Sequence, residues 1–462
     1  MLRLHDTATG TVRPLELRDE SEVTMYVCGP TVYGVPHLGH GRMSLVFDVL
    51  RRYLEFIGKR VTFVSNITDV DDKIIARANA ETRSEEDVAT EFEKAWWDAM
   101  DQLGVKRPDE IPHATAWIEA MVGVISELIE RGAAYETDDG VYLSVEKVPG
   151  YGLLAHQSLE SLRSGARVEV DEKKRSPVDF ALWKRAKPGE PTWASPFGDG
   201  RPGWHTECVA MSLGLLGEGF DIHGGGLDLA FPHHENERAQ AVALGRDFAR
   251  HWVHNGFVEM DDEKMSKSLG NFVSLPDMFE ESDWRAYRLL VLRAHYRSPI
   301  DVTRATVADA EAALVRLDNL ARRFDLDASL GSLNERDALE AGVDVDALAF
   351  FNARMQDDLD TPNALGHIFE LSKRANGSAD GGDHDTAQRL SRTVAILAGA
   401  LGLELHSRSG DGPDEAVLRM ASERVAARAG GDFKKADELR DEILAAGWII
   451  EDGSGGPRFR PA

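Results

Sequence analysis

Val23-Thr24-Met25-Tyr26-Val27-Cys28-Gly29-Pro30 is the stretch whose reading decides the fold. Its first six residues read as a short buried strand, and the Gly-Pro pair ends it. A loop then leads to His37-Leu38-Gly39-His40. From about Gly41 the apolar spacing turns helical, with Leu45, Val46, Val49, Leu50, Tyr53, Leu54 and Ile57 at steps of three and four. Gly58 suits the residue just past such a helix, and Arg60-Val61-Thr62-Phe63-Val64 reads as the next strand. Strand, helix and strand predict a βαβ unit, hence an α/β protein with a parallel sheet and right-handed crossovers.

Working outward, the texture changes at Ile111. A helix is expected around 116–131, then β-like pieces at 134–136 and 141–145. A polar stretch follows at 163–175, then a turn-rich region with Pro188, Pro191, Pro196 and Pro202. β-like runs resume at 219–223 and 254–260. This interruption predicts one nucleotide-binding sheet split by an insertion: first half 1–110, insertion 111–202, second half 203–260. Residues 261–300 read as a lysine-bearing loop and a stem-contact region. Beyond Pro299 the chain is Ala-rich, and 307–324 and 350–375 each carry an apolar stripe, predicting a helical bundle over 301–406. Segments 378–385 and 407–414 read as Gly/Asp/Ser linkers. The region 407–462 is then a linker plus a small domain of two helices and a β-like end at 448–451.

The 462 residues are 42% hydrophobic and 29% charged, an ordinary globular composition. No run of about 18 apolar residues predicts a membrane span, and Met1-Leu2-Arg3-Leu4-His5-Asp6 does not read as a secretory leader, so the cytoplasm is the expected location. The formal net charge of −26 excludes indiscriminate adhesion to polyanions. Any nucleic acid must be held by local patches; 415–440 has six Lys/Arg against five Asp/Glu and could tolerate a phosphate backbone. The two cysteines, Cys28 and Cys208, exclude a disulfide scaffold. As residues alone they fit a disulfide, two inert core thiols or half of a metal site.

Two strings carry chemistry. His37-Leu38-Gly39-His40 falls at a strand-to-helix junction on the carboxyl edge of the sheet, where open α/β sheets bind ligands. A helix N-terminus offers unpaired N–H groups to an anion, Gly39 permits close approach, and two histidines can bond phosphoryl oxygens. Lys264-Met265-Ser266-Lys267-Ser268, followed by Leu269-Gly270-Asn271, is more specific, arising by chance on the order of once in ten thousand chains. Lys264 and Lys267 on one loop can close over a polyphosphate and neutralise charge as pyrophosphate departs.

Together these strings resemble the paired motifs of class I aminoacyl-tRNA synthetases. Tyr26-Val27-Cys28-Gly29-Pro30-Thr31-Val32-Tyr33, Asn66-Ile67-Thr68-Asp69-Val70-Asp71-Asp72-Lys73, Gly203-Trp204-His205-Thr206-Glu207-Cys208, His223-Gly224-Gly225-Gly226 and Phe231-Pro232-His233-His234-Glu235-Asn236-Glu237 narrow the resemblance to the cysteinyl-tRNA synthetase family. It spans nearly the whole chain and is densest at 23–73 and 203–272. The departures are small: Leu38 where isoleucine is commoner, an apolar Gly34-Val35-Pro36, and a tail of Pro457-Arg458-Phe459-Arg460 where tryptophan is usual.

The resemblance implies a class I Rossmann-type sheet split by an insertion, then a stem, an anticodon-binding bundle and a small C-terminal domain. It implies one zinc ion (Zn2+) per chain, held by Cys28, Cys208, His233 and Glu237. The interval from 233 to 237 is four residues, one face of a helix, with His234 and Glu235 as supporting neighbours. It implies His37, His40, Lys264 and Lys267 as catalytic groups. Gly39, His40, His223, Gly225, Asp228 and Lys267 are expected at ATP, and Gly29, Thr68 and Trp204 at the cysteine. Asp69, Asp71 and Asp72 read as a structural turn with positioning groups rather than a metal cluster.

The implied activity is activation of L-cysteine by ATP, with Mg2+, to cysteinyl-adenylate, followed by transfer to the 3′ end of tRNA(Cys) by a monomer. An apolar pocket separates such similar side chains by only about 1–3 kcal/mol per group, whereas selection at about 10⁴–10⁵ needs roughly 5.5–7 kcal/mol. Zinc, with its preference for thiolate, is a selector that requires no editing domain. Two other readings stay open at this stage. One is a mycothiol-pathway ligase that joins cysteine to an amino sugar; the other is a non-catalytic synthetase-like protein that binds tRNA or senses cysteine.

Overall fold

A computed structural model describes the chain except residues 166–173, 261–262, 265–273, 407–414, 431, 447, 454–455 and 462. After an N-terminal hairpin, β1 (Arg3–Asp6) and β2 (Thr11–Pro14), comes the βαβ unit: β3 (Glu22–Val27), α1 (Leu38–Phe56) and β4 (Arg60–Ser65). Helix α1 buries Leu45, Phe47, Leu50 and Tyr53 completely. Each such side chain contributes about 1.5–3 kcal/mol of burial. The helix starts at Leu38, ahead of the expected Gly41, because the histidines cap it. His40 N–H donates to His37 Nδ1 and His37 N–H donates to His40 Nδ1, both at 3.3 Å.

Helices α2 (Asp72–Glu81) and α3 (Glu85–Gln102) precede the insertion. The insertion holds α4 (Ile118–Glu130), β5 (Ala134–Thr137), β6 (Gly140–Leu143), α5 (Leu159–Gly165), β7 (Phe180–Arg185) and β8 (Gly200–Pro202). Its strands form an antiparallel sheet in the order β5-β6-β7-β8. Strands β7 and β8 lie where the sequence suggests only turns; Leu182 and Trp183 of β7 are fully buried.

The second half supplies α6 (Trp204–Leu216), β9 (Ile222–Gly226), a single turn α7 (Leu227–Leu229), α8 (Glu235–Ala243) and β10 (His251–Asn255). Four parallel strands stand in the order β10-β9-β3-β4. The chain leaves β3 toward β4 on one side, and β9 later takes β3's other edge. The topological switch point therefore lies between β3 and β9, where ligands of such sheets bind. Val27 faces Gly224 there, and Cys28 N–H donates to Gly224 O at 3.3 Å.

The expected single run at 254–260 is two strands. β10 ends at Asn255, and after Gly256-Phe257 strand β11 (Val258–Met260) joins β12 (Glu263–Lys264) and β13 (Ile300–Asp301) in a separate small sheet. Helices α9 (Leu275–Glu281) and α10 (Trp284–Arg293) fall before β13. The bundle follows with α11 (Arg304–Arg323), α12 (Glu335–Glu340), α13 (Val345–Met355), α14 (Thr361–Asp380) and α15 (His384–Ala400). The stripe at 350–375 is split between α13 and α14, because Asp358 and Leu359 take φ of +59° and +51°. Asp358 is held there by N–H of His5 (2.7 Å), Tyr296 OH (2.7 Å) and Arg297 Nε (2.8 Å). The expected linker 378–385 shrinks to three residues between α14 and α15, and the linker 407–414 lies outside the described residues. The C-terminal piece is α16 (Glu415–Ala429), α17 (Phe433–Ala445) and a hairpin of β14 (Trp448–Gly453) and β15 (Gly456–Pro461), whose second strand the sequence did not announce.

One core joins α1, α10 and the bundle helices, and a second lies under the insertion and includes Tyr26, Cys28 and Cys208. Across the first, buried Asp48 accepts from Arg288 Nη1 (2.6 Å) and Arg52 Nε (2.8 Å). Among the described residues, no helix is long and apolar enough to cross a membrane.

Candidate metal centre and active site

The site grows from the carboxyl ends of β3 and β4. Gly29 N–H donates to Asn66 Oδ1 at 2.9 Å, and Tyr26 OH donates to the same oxygen at 3.1 Å. Thr68 is buried and donates through Oγ1 to Glu207 Oε2 at 2.8 Å. Two strand ends and the first turn of α6 are thereby fixed against one another.

Four donors from four places converge behind Gly29. Cys28 follows β3, Cys208 lies on α6, His233 on the turn before α8 and Glu237 on α8. Their ligand atoms all lie within 4.8 Å of one another and all four residues are buried. Cys28 Sγ is 3.6 Å from Cys208 Sγ and 3.4 Å from Glu237 Oε1. His233 Nε2 is 3.6 Å from Cys208 Sγ and 2.9 Å from Glu237 Oε1. A tetrahedral zinc with Zn–S near 2.3 Å has ligand atoms about 3.3–3.8 Å apart, so all but the shortest of these separations fit. Two soft thiolates, an imidazole and a carboxylate are also the right chemistry. The residues fit zinc.

The electrostatics of the four donors divide, Cys208 and Glu237 leaning toward their metal-binding forms and Cys28 and His233 toward their protonated ones. Burial pushes the Cys28 thiol well up, with Cys208 and Glu237 adding to it. Burial also raises Cys208, but the Cys28 hydrogen bond and His233 outweigh it and bring the thiol down to about 6. Burial opposes charge on His233, yet Glu237 and Cys208 lift it to about 10. The Glu237 carboxyl, resisted by burial, is held well below its usual range by His223 and His233. A thiol and a carboxylate are thus already set toward their metal-binding forms.

Histidines surround these donors; a supporting place was expected for His234 but not for His205, His223 or His254. His205 Nδ1 contacts His233 Nδ1 at 2.8 Å, orienting the ring so that Nε2 faces the centre. Trp204 stacks on His233 at 3.8 Å between centroids. His223, expected at the nucleoside of ATP, is fully buried with Nε2 2.6 Å from Glu237 Oε2. As a residue of a central strand it is enclosed by Tyr26, Phe248 and Trp252. It is absent from the wall of the open cavity, and with Cys28, His234 and Glu237 it forms a second set of donor atoms within 4.8 Å of one another. His234 continues to His254 (2.8 Å) and thence to Thr7 (2.7 Å). Thr7 lies 247 residues from His254 and carries no sequence signal. Glu235 accepts Leu154 N–H at 2.7 Å and pairs with Arg238 at 3.0 Å, holding the insertion to α8.

A cavity of about 310 Å³ opens onto this centre. Cys28, Gly29 and Trp204 form one part of its wall; His37, Gly39, His40 and Asp228 form another. Lys73, unassigned from sequence, also lines it, its Nζ 5.1 Å from the centroid of the Tyr33 ring. The cavity brings together seven of the expected residues. It does not reach Thr68, His223 or Gly225, which lie in the layer behind. A Cβ at Gly225 would meet His234 and Leu229 at 2.9 Å. The His37 and His40 rings stack at 3.6 Å. Of the lysine motif, the backbone of Lys264 pairs with Glu259, while Met265 through Asn271, including Lys267, lie outside the described residues. Asp71 caps α2, Asp69 accepts from Thr115 (2.9 Å to N), and Asp72 pairs with Lys184 (2.5 Å) and Arg201. None of the three joins a metal cluster among the described residues.

Comparison with known proteins identifies related chains and a related fold. Residues 14–312 match the tRNA synthetases class I (C) catalytic domain, and residues 350–406 match the DALR domain. The chain is 46% identical over 471 residues to a cysteine–tRNA ligase of Alkalilimnicola ehrlichii, covering 100% of both chains. It is 44% identical over 481 residues to one of Geobacter metallireducens, covering 99% of each. Among solved structures, methionyl-tRNA synthetase of Mycobacterium tuberculosis in complex with methionyl-adenylate superposes with a TM-score of 0.60, covering 83% of this chain and 90% of that one. At 16% identity this likeness speaks for the fold alone.

Proposed function

The chain belongs to the cysteine–tRNA ligase family of class I aminoacyl-tRNA synthetases, and on that premise we propose that it selects L-cysteine by its thiolate, activates it with ATP and Mg2+, and esterifies tRNA(Cys). We further propose that it works as a monomer in the cytoplasm. The observation that carries this reading is the junction of a two-thiol, one-imidazole, one-carboxylate centre with a cavity walled by the His37–His40 helix start.

Held by Cys28, Cys208, His233 and Glu237, a zinc ion supplies a preference for thiolate sulfur over hydroxyl oxygen. Everything else falls to the chain's own residues. The reciprocal cap on α1 engages both Nδ1 atoms as acceptors of backbone N–H. The protons of neutral His37 and His40 therefore sit on Nε2, and each ring is a donor toward phosphoryl oxygens. Helix α1 adds the positive end of its dipole. The cysteine carboxylate attacks the α-phosphorus and pyrophosphate leaves, its charge met by these donors and, on the sequence reading, by Lys264 and Lys267. A terminal ribose hydroxyl of the tRNA then attacks the carbonyl carbon, and AMP leaves. No protein nucleophile takes part, so catalysis is positioning and charge stabilisation. Helices α11–α17 and the terminal hairpin are assigned to the anticodon arm.

The test is a charging assay with total tRNA and all twenty amino acids, alongside amino-acid-dependent pyrophosphate exchange. Cysteine alone should support both. Exchange with cysteine but transfer to an amino sugar rather than tRNA would replace the acceptor, and no cysteine-dependent exchange would overturn the reading.

A further inference from the structure

Arg42 is a buried cation with no ion-pair partner among the described residues, although Glu259 of β11 favours its charge from beyond ion-pairing distance. It lies on α1 two residues beyond His40, only 1% exposed. Among the described residues no carboxylate comes within ion-pairing distance of it. Its guanidinium instead donates to three backbone carbonyls: Nη1 to Phe257 O, and Nη2 to Tyr296 O (3.1 Å) and Ser298 O. Burial pushes the group down to about 10. Burying a cation on neutral acceptors is costly, and packing alone is served as well or better by an apolar side chain of similar volume.

What Arg42 holds is the root of the small sheet that carries Lys264. Phe257 sits in the break between β10 and β11, and Tyr296 and Ser298 sit between α10 and β13. The two segments are stitched together: Gly256 N–H donates to Tyr296 O at 2.8 Å, and Ile300 N–H to Phe257 O at 3.0 Å. A Cβ at Gly256 would fall 2.6 Å from Arg297 O and 2.7 Å from Ser298 O, so the approach requires glycine. From this root β11 pairs with β12, placing Lys264 opposite Glu259. The other side of the lysine motif is tied to the same helix start. Leu275 N–H donates to Pro36 O at 2.9 Å, and Ser274 bridges to His37. β12 with Lys264 is thus rooted at an anchor on α1, and Ser274–Leu275 are tied to a second anchor at Pro36–His37, just before that helix.

We propose that Arg42 is a positioning residue for adenylate formation: by clamping the β11–β13 root it fixes the spacing between the His37–His40 helix start and β12, the strand that carries Lys264. The proposal rests on the reading of the previous section, since that spacing matters only if both motifs act on one polyphosphate. Arg42 touches no substrate. It governs the step in which pyrophosphate leaves, and neither cysteine affinity nor acyl transfer depends on it. A 1 Å change in such spacing is worth about 10²-fold in rate.

The experiment compares full-length, zinc-loaded parent, Arg42→Lys and Arg42→Met. It measures pyrophosphate exchange with its kcat and KM values, single-turnover transfer from preformed cysteinyl-adenylate to tRNA, and thermal unfolding. Arg42→Met should lower exchange kcat by about 30- to 100-fold while the KM for cysteine and the transfer rate stay within about threefold. Arg42→Lys keeps one of the two donor directions and should lose only about 5- to 20-fold in the same step. Parent-like exchange in either variant overturns the proposal, as does equal loss in exchange and transfer, the mark of a merely structural role. If Arg42→Met does not fold, the step-specificity of Arg42→Lys decides by the same criterion. A parent chain that shows no cysteine-dependent exchange would sink the functional reading instead.

Discussion

Gly29→Ala adds one methyl group at a point where the backbone leaves no space. A Cβ there would lie 1.6 Å from Asn66 O and 2.8 Å from Asn66 C, whereas real Cβ contacts essentially never fall below 3.0 Å. Relief requires at least 3.0 − 1.6 = 1.4 Å of movement. Both clashing atoms are backbone, so no rotamer change can absorb it. The movement must part the ends of β3 and β4, and Gly29 is bonded directly to Cys28. A displacement of about 1 Å at a catalytic centre costs roughly 10²-fold, and the overpacking adds about 1–3 kcal/mol of destabilisation. We therefore expect cysteine-dependent pyrophosphate exchange to fall about 100-fold or more, with reduced zinc by metal analysis and a lower unfolding temperature. Gly366→Ala in α14 is the control: nothing lies within 4 Å of its Cβ. That helix-interior change should leave the rates alone and add about 0.5–1 kcal/mol of stability. A Gly29→Ala chain with parent-like exchange and zinc content would refute the packing argument.

Other outcomes follow from the described geometry and, for Lys267, from the sequence reading alone. Cys208→Ser should release zinc and collapse cysteine affinity, and full zinc occupancy by metal analysis would remove Cys208 from the ligand set. Lys267→Ala should abolish most adenylate formation while cysteine binding by calorimetry is retained; unchanged exchange would dismiss the lysine. Asp48→Asn strands the fully buried Arg288 and should cost about 3–5 kcal/mol in denaturant unfolding, a loss under about 1 kcal/mol being the contrary result. Although burial opposes its charge, Arg288 and Arg52 hold the Asp48 carboxyl below its ordinary 3.8. The sign follows from linkage: a depressed carboxyl contributes stability in full above its unfolded value and loses it as pH falls through the folded one. The parent should therefore lose stability below about pH 4–5 more steeply than Asp48→Asn, and parallel acid limbs would contradict this.

Much of the architecture could be read because side-chain periodicity reported it. The βαβ unit was legible in the short buried run of β3 and the three- and four-residue steps of α1. Strand β9 was placed too early, at 219–223 instead of Ile222–Gly226. Three of its five residues are glycines, which show no alternation to read. The stripe at 350–375 concealed a break because Leu359, although apolar and buried, adopts a backbone that leucine rarely takes. In the site, the four-residue step from His233 to Glu237 was visible, but the cysteines were ambiguous until the family resemblance joined them. The buttressing by His205, His223 and His254 was not visible at all. Those contacts arise from tertiary neighbours such as Thr7 and Trp252, and no local pattern encodes them.

The strand order has a consequence for synthesis on the ribosome. β3 pairs with β4 soon after both emerge, but its other edge waits for β9, and Cys28 waits for Glu237, 209 residues later. At about 5–20 residues per second this interval lasts roughly 10–40 s. Throughout it the nascent first half exposes an unpaired strand edge, open to pairing with another chain, and a thiol that lacks its eventual ligand partners. The glycine strand β9 therefore seals the open edge first, and α8, which follows it, brings Glu237 to complete the four-donor cluster.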